Sequence, residues 1–170
     1  MSKRNELVYS DEELISISAL PHFLHCRRRC PLIHIEQQWI ENRFTAEGRV
    51  MHERVHSDAS ESRGEVKISF SLPLRSLSLG LIGKADVVEF HLTKEGQTKL
   101  VDETLASAHK KGNAGYWVPF PIEYKRGKPK SDNSDKVQLC AQAICIEEMC
   151  GIKVPEGALF YGKRVTAALL

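Results

Sequence analysis

The 170-residue chain is 42% hydrophobic and 27% charged, with a formal net charge of +2. That balance suits one folded domain with a real core, and it is too mild to announce a nucleic-acid binder, so charge is informative only where it clusters. No run approaches the ~18 apolar residues of a membrane span, no N-terminal signal pattern is present, and five cysteines do not close a disulfide framework; the expectation is a cytoplasmic protein without a membrane partner.

Ser10-Asp11-Glu12-Glu13 places a capping residue before carboxylates and predicts a helix start, with a helical apolar pattern over 16–26 through Ile17, Leu20 and Leu24. Pro21 suits the first turn of a helix capped by Ser16 or Ser18. Cys26-Arg27-Arg28-Arg29-Cys30 follows. Two cysteines four apart share one face of a helical turn, but no second pair at matching spacing completes a zinc site. Two readings stand side by side: half-buried thiols beside a solvated basic patch, or a metal-cluster ligand beside arginines that bind phosphate. On the second reading Arg27 and Arg28 are DNA-binding candidates, as is Lys128 in the basic cluster over 125–130.

Ile33, Ile35 and Trp39 read as core anchors leading into a helix over 45–57. Inside it, His52-Glu53-Arg54-Val55-His56 matches H-E-x-x-H, in which two histidines four apart bind zinc and the glutamate activates water. A zinc protease is therefore the main rival reading. Against it, Ala59 and Ser62 stand where one large class of such enzymes has a glycine and a third histidine.

From Glu65 the pattern changes to period two, with Val66, Ile68, Phe70 and Leu72 alternating with Lys67, Ser69 and Ser71, and Pro73 is expected to close the strand. Leu77, Leu79 and Leu81 suggest a second strand, continued by Gly83-Lys84-Ala85-Asp86-Val87-Val88. Asp86 reads either as a strand-edge acid contacting Lys84 or as a rigidly held metal ligand. The polar stretch over 93–115 reads as a loop or hairpin insertion.

Tyr116, Trp117, Val118, Phe120 and Ile122 favour a strand that runs into Glu123-Tyr124-Lys125. Alternation puts Glu123 and Lys125 on one face, which is solvated or a site, because neither charge is readily buried unpaired. A helix over 135–149 follows, stopped by Gly151, with Gln138 and Gln142 on one face and Cys140, Cys145 and Cys150 as small core or boundary residues. A last strand is expected over 158–162.

His52, Asp86, Glu123 and Lys125 together form an acid, acid, lysine set with a histidine added. Carboxylate oxygens suit Mg²⁺ or Mn²⁺, and a lysine beside such an ion is suited to orient water or to stabilise a pentacoordinate phosphate.

In this order, Cys26-x-x-x-Cys30-x-x-Ile-His-Ile-Glu, Gly48-x-x-x-His52-Glu53, Gly83-Lys84-Ala85-Asp86 and Ile122-Glu123-Tyr124-Lys125-Arg126-Gly127 resemble the CRISPR-associated RecB-like exonuclease, the Cas-four family. The resemblance runs from about Ser16 to Gly162. It implies an α/β restriction-endonuclease-like core, a central mixed sheet flanked by helices with an N-terminal helical segment, as one RecB-like nuclease domain over 1–170. It also implies an exonuclease acting on single-stranded or overhanging DNA, working with the CRISPR integrase complex to process new spacers. His52, Asp86 and Glu123 would be its Mg²⁺ or Mn²⁺ ligands, Lys125 its catalytic lysine, and Gln138 its motif glutamine near DNA. Cys26 would be one ligand of a [4Fe-4S] cluster whose other cysteines lie in a C-terminal segment that this sequence does not show. Gln142 stands where the family's usual tyrosine does. A catalytically inactive DNA-binding or scaffold subunit is the remaining alternative.

Overall fold

The run of aromatic and β-branched residues over 116–125 forms a strand near the middle of a seven-stranded sheet. The computed structural model describes residues 8–38, 60–93, 116–130, 132–162 and 164–169, giving the backbone for 60–63 and 164–169. In chain order the elements are β1 (Ile15–Ser16), α1 (Ala19–His25), α2 (Arg29–His34), β2 (Ser60–Arg63), β3 (Val66–Ser76), β4 (Leu81–Thr93), β5 (Tyr116–Lys125), α3 (Ser134–Cys150), β6 (Glu156–Tyr161) and β7 (Arg164–Leu169). Trp39, the helix expected over 45–57 with His52, and the insertion over 94–115 lie outside the described residues.

The sheet is mixed, in the order β2-β3-β4-β5-β6-β7 with β1 pairing β4. β5 and β6 run parallel, so the chain must cross over between them, and α3 is that crossover. The result is the mixed α/β architecture of a restriction-endonuclease-like core, as the sequence led us to expect. The core sits between sheet and helix: Leu74, Ala85 and Val88 pack with Ala141, Cys145 and Ile146 of α3 and with Ile17. Each is at most 5% exposed, so α3 cannot leave the sheet without opening this cluster to water.

β1 and β5 share one edge of β4. β1 pairs with Leu81 and Ile82, whereas β5 pairs from Val87 to Thr93, which leaves Gly83 to Asp86 without a strand ladder on that side. Gly83 lets Ile17 pack closely there: a Cβ would sit 3.1–3.3 Å from the side-chain carbons of Ile17, which would have to shift by a few tenths of an ångström.

Several local expectations are corrected. Asp11–Glu13 is a single 3-10 turn, and Ile15–Ser16 then joins the sheet before the helix begins at Ala19, with Ser18 as its N-cap. Ile35 is 77% exposed and is no core anchor. Pro73 does not end β3, which continues to Ser76; among the described residues β2 pairs only as far as Ser69, so no described strand needs a ladder donor from Pro73 on that side. Leu77 and Leu79 belong to the β3–β4 turn instead of a strand, because Glu148 at the end of α3 accepts hydrogen bonds from the Leu77 and Ser78 N–H groups at 2.8 and 3.3 Å. Asp86 is on a central strand, not an edge. β7 was not anticipated.

Candidate functional site

The register Val87↔Ile122 places Asp86 opposite Glu123 at the next position, where the β4–β5 ladder ends. There the backbone bond gives way to a side chain: the Tyr124 N–H donates to Asp86 Oδ2 at 2.8 Å. On the other flank of β4, Ser71 faces the same position with φ of 52°, an unusual conformation for a non-glycine residue. The two carboxylates thus sit where the strands part. Asp86 is 5% exposed and Glu123 is 2% exposed.

The side-chain partners of Glu123 among the described residues come from the end of its own strand, β5, and from α3. Lys125 Nζ lies 2.8 Å from Glu123 Oε1, and Gln138 Nε2 donates to the same oxygen at 2.6 Å. Lys125 Nζ also donates to Gln138 Oε1 at 2.6 Å, which closes a three-membered ring of contacts. Glu123 Oε2 accepts from Gln142 Nε2 at 2.6 Å, and that amide also reaches the Lys84 carbonyl at 3.3 Å. Gln138 and Gln142 share one face of α3 because they are four residues apart, and both point at one carboxylate. Burial pushes the Glu123 carboxyl above its ordinary range; the Lys125 charge opposes the rise and the Asp86 charge adds to it.

Above the carboxylates lies a cleft of about 420 Å³. Its floor is Lys84, Asp86, Glu123 and Lys125; one wall comes from α1 and α2 through His22, His25 and Arg29, and another from Lys130, Asp135 and Gln138. His22 Nδ1 is 2.9 Å from His34 Nε2, and burial together with the nearby positive charges of Arg29, His34, Lys125 and Lys130 pushes its ring down to about 4.

No family model matches the chain. Among curated proteins it is similar to the CRISPR-associated exonuclease Cas4/endonuclease Cas1 fusion of Geobacter sulfurreducens, 28% identical over 158 residues that make up 87% of this chain. This similarity supports a Cas4-like reading of the chain. The chain spans about a quarter of the length of that relative, 24%.

The fold brings Asp86, Glu123, Lys125 and Gln138 together at one cleft. His52 lies outside the described residues. Arg27, Arg28 and Lys128 are exposed and do not line the cleft; Arg27 instead stacks over the Phe23 ring, 5.6 Å from its centroid. The cleft is lined by Arg29 and Lys130, neighbours of those residues in the same basic runs, and by His22, His25, Lys84 and Asp135, which no spacing in the sequence singled out. Gln142 is fully buried against Glu123, a placement visible only as its four-residue offset from Gln138.

Two opposed, buried carboxylates are an oxygen donor set that fits a hard divalent cation such as Mg²⁺ or Mn²⁺; burial raises the Glu123 carboxyl and the nearby Asp86 charge adds to the rise. Among the described residues no third His, Cys, Asp or Glu joins them. The five cysteines do not converge either: Cys26 is exposed, and Cys145 is buried in α3 with its thiol pushed up to about 11 by burial. They do not themselves form a four-thiolate cage for an iron–sulfur cluster. No helix among the described residues is long and apolar enough to cross a membrane.

Proposed function

We propose that this chain is a divalent-metal-dependent exodeoxyribonuclease that trims single-stranded ends, and that in a cell it processes spacer precursors alongside the CRISPR integrase complex. One observation carries the reading: Asp86, Glu123 and Lys125 meet at the floor of a basic cleft, where the strands part and the ladder leaves room for a ligand. The relative's name, which couples an exonuclease Cas4 with an endonuclease Cas1, supports the association with an integrase.

Asp86 and Glu123 would hold the cation, with His52 proposed as a further ligand; the ion, when bound, supplies Lewis-acid charge to the scissile phosphate and acidity to water. Everything else falls to the chain's own groups. The Tyr124 N–H fixes Asp86, and Gln138, Gln142 and Lys125 fix both oxygens of Glu123, so neither carboxylate has to reorganise when substrate arrives. Lys125 is 18% exposed, so its ammonium sits at the boundary between buried carboxylate and cleft. From there it orients the attacking water and donates a hydrogen bond to charge developing on the phosphate. Gln138 anchors that ammonium through its Oε1 and keeps it from swinging into solvent.

The test is degradation of an end-labelled single strand with Mn²⁺ or Mg²⁺. Glu123→Ala and Lys125→Ala are each expected to lower the rate at least ~10²-fold while far-UV circular dichroism shows a folded protein. Cleavage that persists in both variants, or that proceeds equally in EDTA, overturns the assignment.

A further inference from the structure

Four cations face the cleft: Arg29 from α2, Lys84 and Lys125 from the sheet, and Lys130 from the segment before α3. Lys125 is paired with Glu123, and Lys130 lies 2.9 Å from Asp135. Among the described residues no carboxylate forms an ion pair with Arg29 or Lys84, although both stand beside a cleft whose floor already carries two acids. The positive charges converge. Arg29, Lys125 and Lys130, from α2, β5 and the approach to α3, line the same cleft as the His22 ring, whose basicity burial lowers first and their charges, with that of His34, lower further. A wall of this kind lowers its own repulsion by taking up an anion. Arginine's planar fork is matched to the paired oxygens of a phosphate.

We propose that Arg29 and Lys130 form a subsite for a second phosphodiester of the bound single strand, next to the phosphate placed over Asp86, Glu123 and Lys125. The inference rests on the nuclease reading and adds to it how the strand is held. It assigns the work of strand binding to Arg29 within the run Arg27-Arg28-Arg29, because Arg29 alone of the three lines the cleft. Lys130 keeps 48% of its side-chain surface exposed, and Asp135, which is 4% exposed, keeps the Tyr161 hydroxyl as a donor at 2.9 Å when the ammonium turns to a phosphate oxygen.

The experiment is a salt titration of binding, read by fluorescence anisotropy with a labelled oligothymidylate in EDTA, where no cleavage occurs. Loss of one phosphate contact on a single strand lowers the slope of log K against log salt by about 0.7, and Arg29→Gln is expected to do so while weakening binding about tenfold at low salt. Lys130→Gln serves as an independent second variant and is expected to give the same decrement. Lys153→Gln is the charge-matched control; this residue pairs with Glu147 near the far end of α3, and its loss is expected to leave the slope as in the parent protein. Parent slopes in both the Arg29 and Lys130 variants, or an equal fall in the control, overturn the subsite. Because the measurement needs no hydrolysis, a protein that binds with the expected decrements yet never cleaves would refute the nuclease reading and leave the subsite standing. Mn²⁺-dependent cleavage with unaltered slopes would do the reverse.

Discussion

Replacing Lys125 by methionine tests the physical core of the site without reference to activity. In the parent protein the ammonium lies 2.8 Å from Glu123 Oε1 and donates to Gln138 Oε1 at 2.6 Å, while Glu123 itself is 2% exposed. Methionine keeps most of the side-chain volume and removes the charge, leaving a buried carboxylate held by amides alone. Breaking one partner out of a buried ion pair costs about 3–5 kcal/mol, and the 18% exposure of Lys125 favours the lower end, ~3 kcal/mol. For a domain of this size that corresponds to a fall in Tm of about 6–12 °C.

The sign of the pH dependence follows from the direction of the Glu123 shift. Burial already raises the carboxyl, and Lys125 is the charge that opposes the rise, so its removal carries the folded-state value higher still. Between the unfolded and folded values the native state holds more protons than the unfolded one, so stability falls as pH rises through that window. The Lys125→Met loss should therefore be largest at the alkaline end of the profile and shrink as pH falls and the native carboxyl takes up its proton. Adding Glu123→Gln removes the orphaned charge, and the double variant should recover about 2 kcal/mol of the loss. Urea unfolding followed by circular dichroism in EDTA measures all of this. A loss that is independent of pH, or single-variant losses that simply add, would refute the reasoning.

Two further outcomes follow from contacts away from the cleft. Glu148→Ala removes the acceptor that ties the β3–β4 turn to α3 through Ser76, Leu77 and Ser78, and it should lower the unfolding free energy by about 2 kcal/mol. Burial alone would raise the Glu148 carboxyl, but those hydrogen bonds hold it below its ordinary value, so its contribution is present above that value and lost as pH falls; Glu148→Gln should flatten the acid limb of a urea-midpoint profile. In native protein at about pH 8, iodoacetamide should modify exposed Cys26 well before Cys145, whose thiol is buried and pushed up to about 11. Equal rates by mass spectrometry would mean that α3 does not pack as described.

The parts of this molecule that were legible beforehand are those governed by local chemistry. β5 could be read from its aromatic and β-branched run, and α3 to within a residue at each end because Gly151, with φ of 63°, takes the left-handed position that stops it. The Asp86, Glu123 and Lys125 set could be read because its members are chemically out of place in an apolar pattern. What was misread depended on partners far along the chain. Leu77 and Leu79 alternate like a strand, yet a glutamate 70 residues away holds that backbone as a turn. Pro73 looks like a terminator until one knows that, among the described residues, the pairing of β2 reaches only Ser69 of β3 and asks no ladder bond of Pro73 on that side. In Arg27-Arg28-Arg29, three identical residues carry no signal as to which one faces the cleft, since that is fixed by how α2 docks beside α1.

The wiring around Glu123 also separates function from fold. A buried carboxylate costs stability unless its partners offset the loss of water, and α3 devotes two glutamines to that one group. Gln142 is itself fully buried, and among the described residues its Oε1 has no hydrogen-bond partner, a desolvation cost of about 1–3 kcal/mol that a leucine in its place would not carry. Ser71 bends out of ordinary strand geometry opposite Asp86, and Tyr124 gives its N–H to a side chain instead of a strand. An apolar pairing of β4 with β5 through these positions would build a more stable sheet. That the strands instead part over two acids and a lysine, beneath a basic cleft, is a cost to the core that the proposed nuclease site would explain.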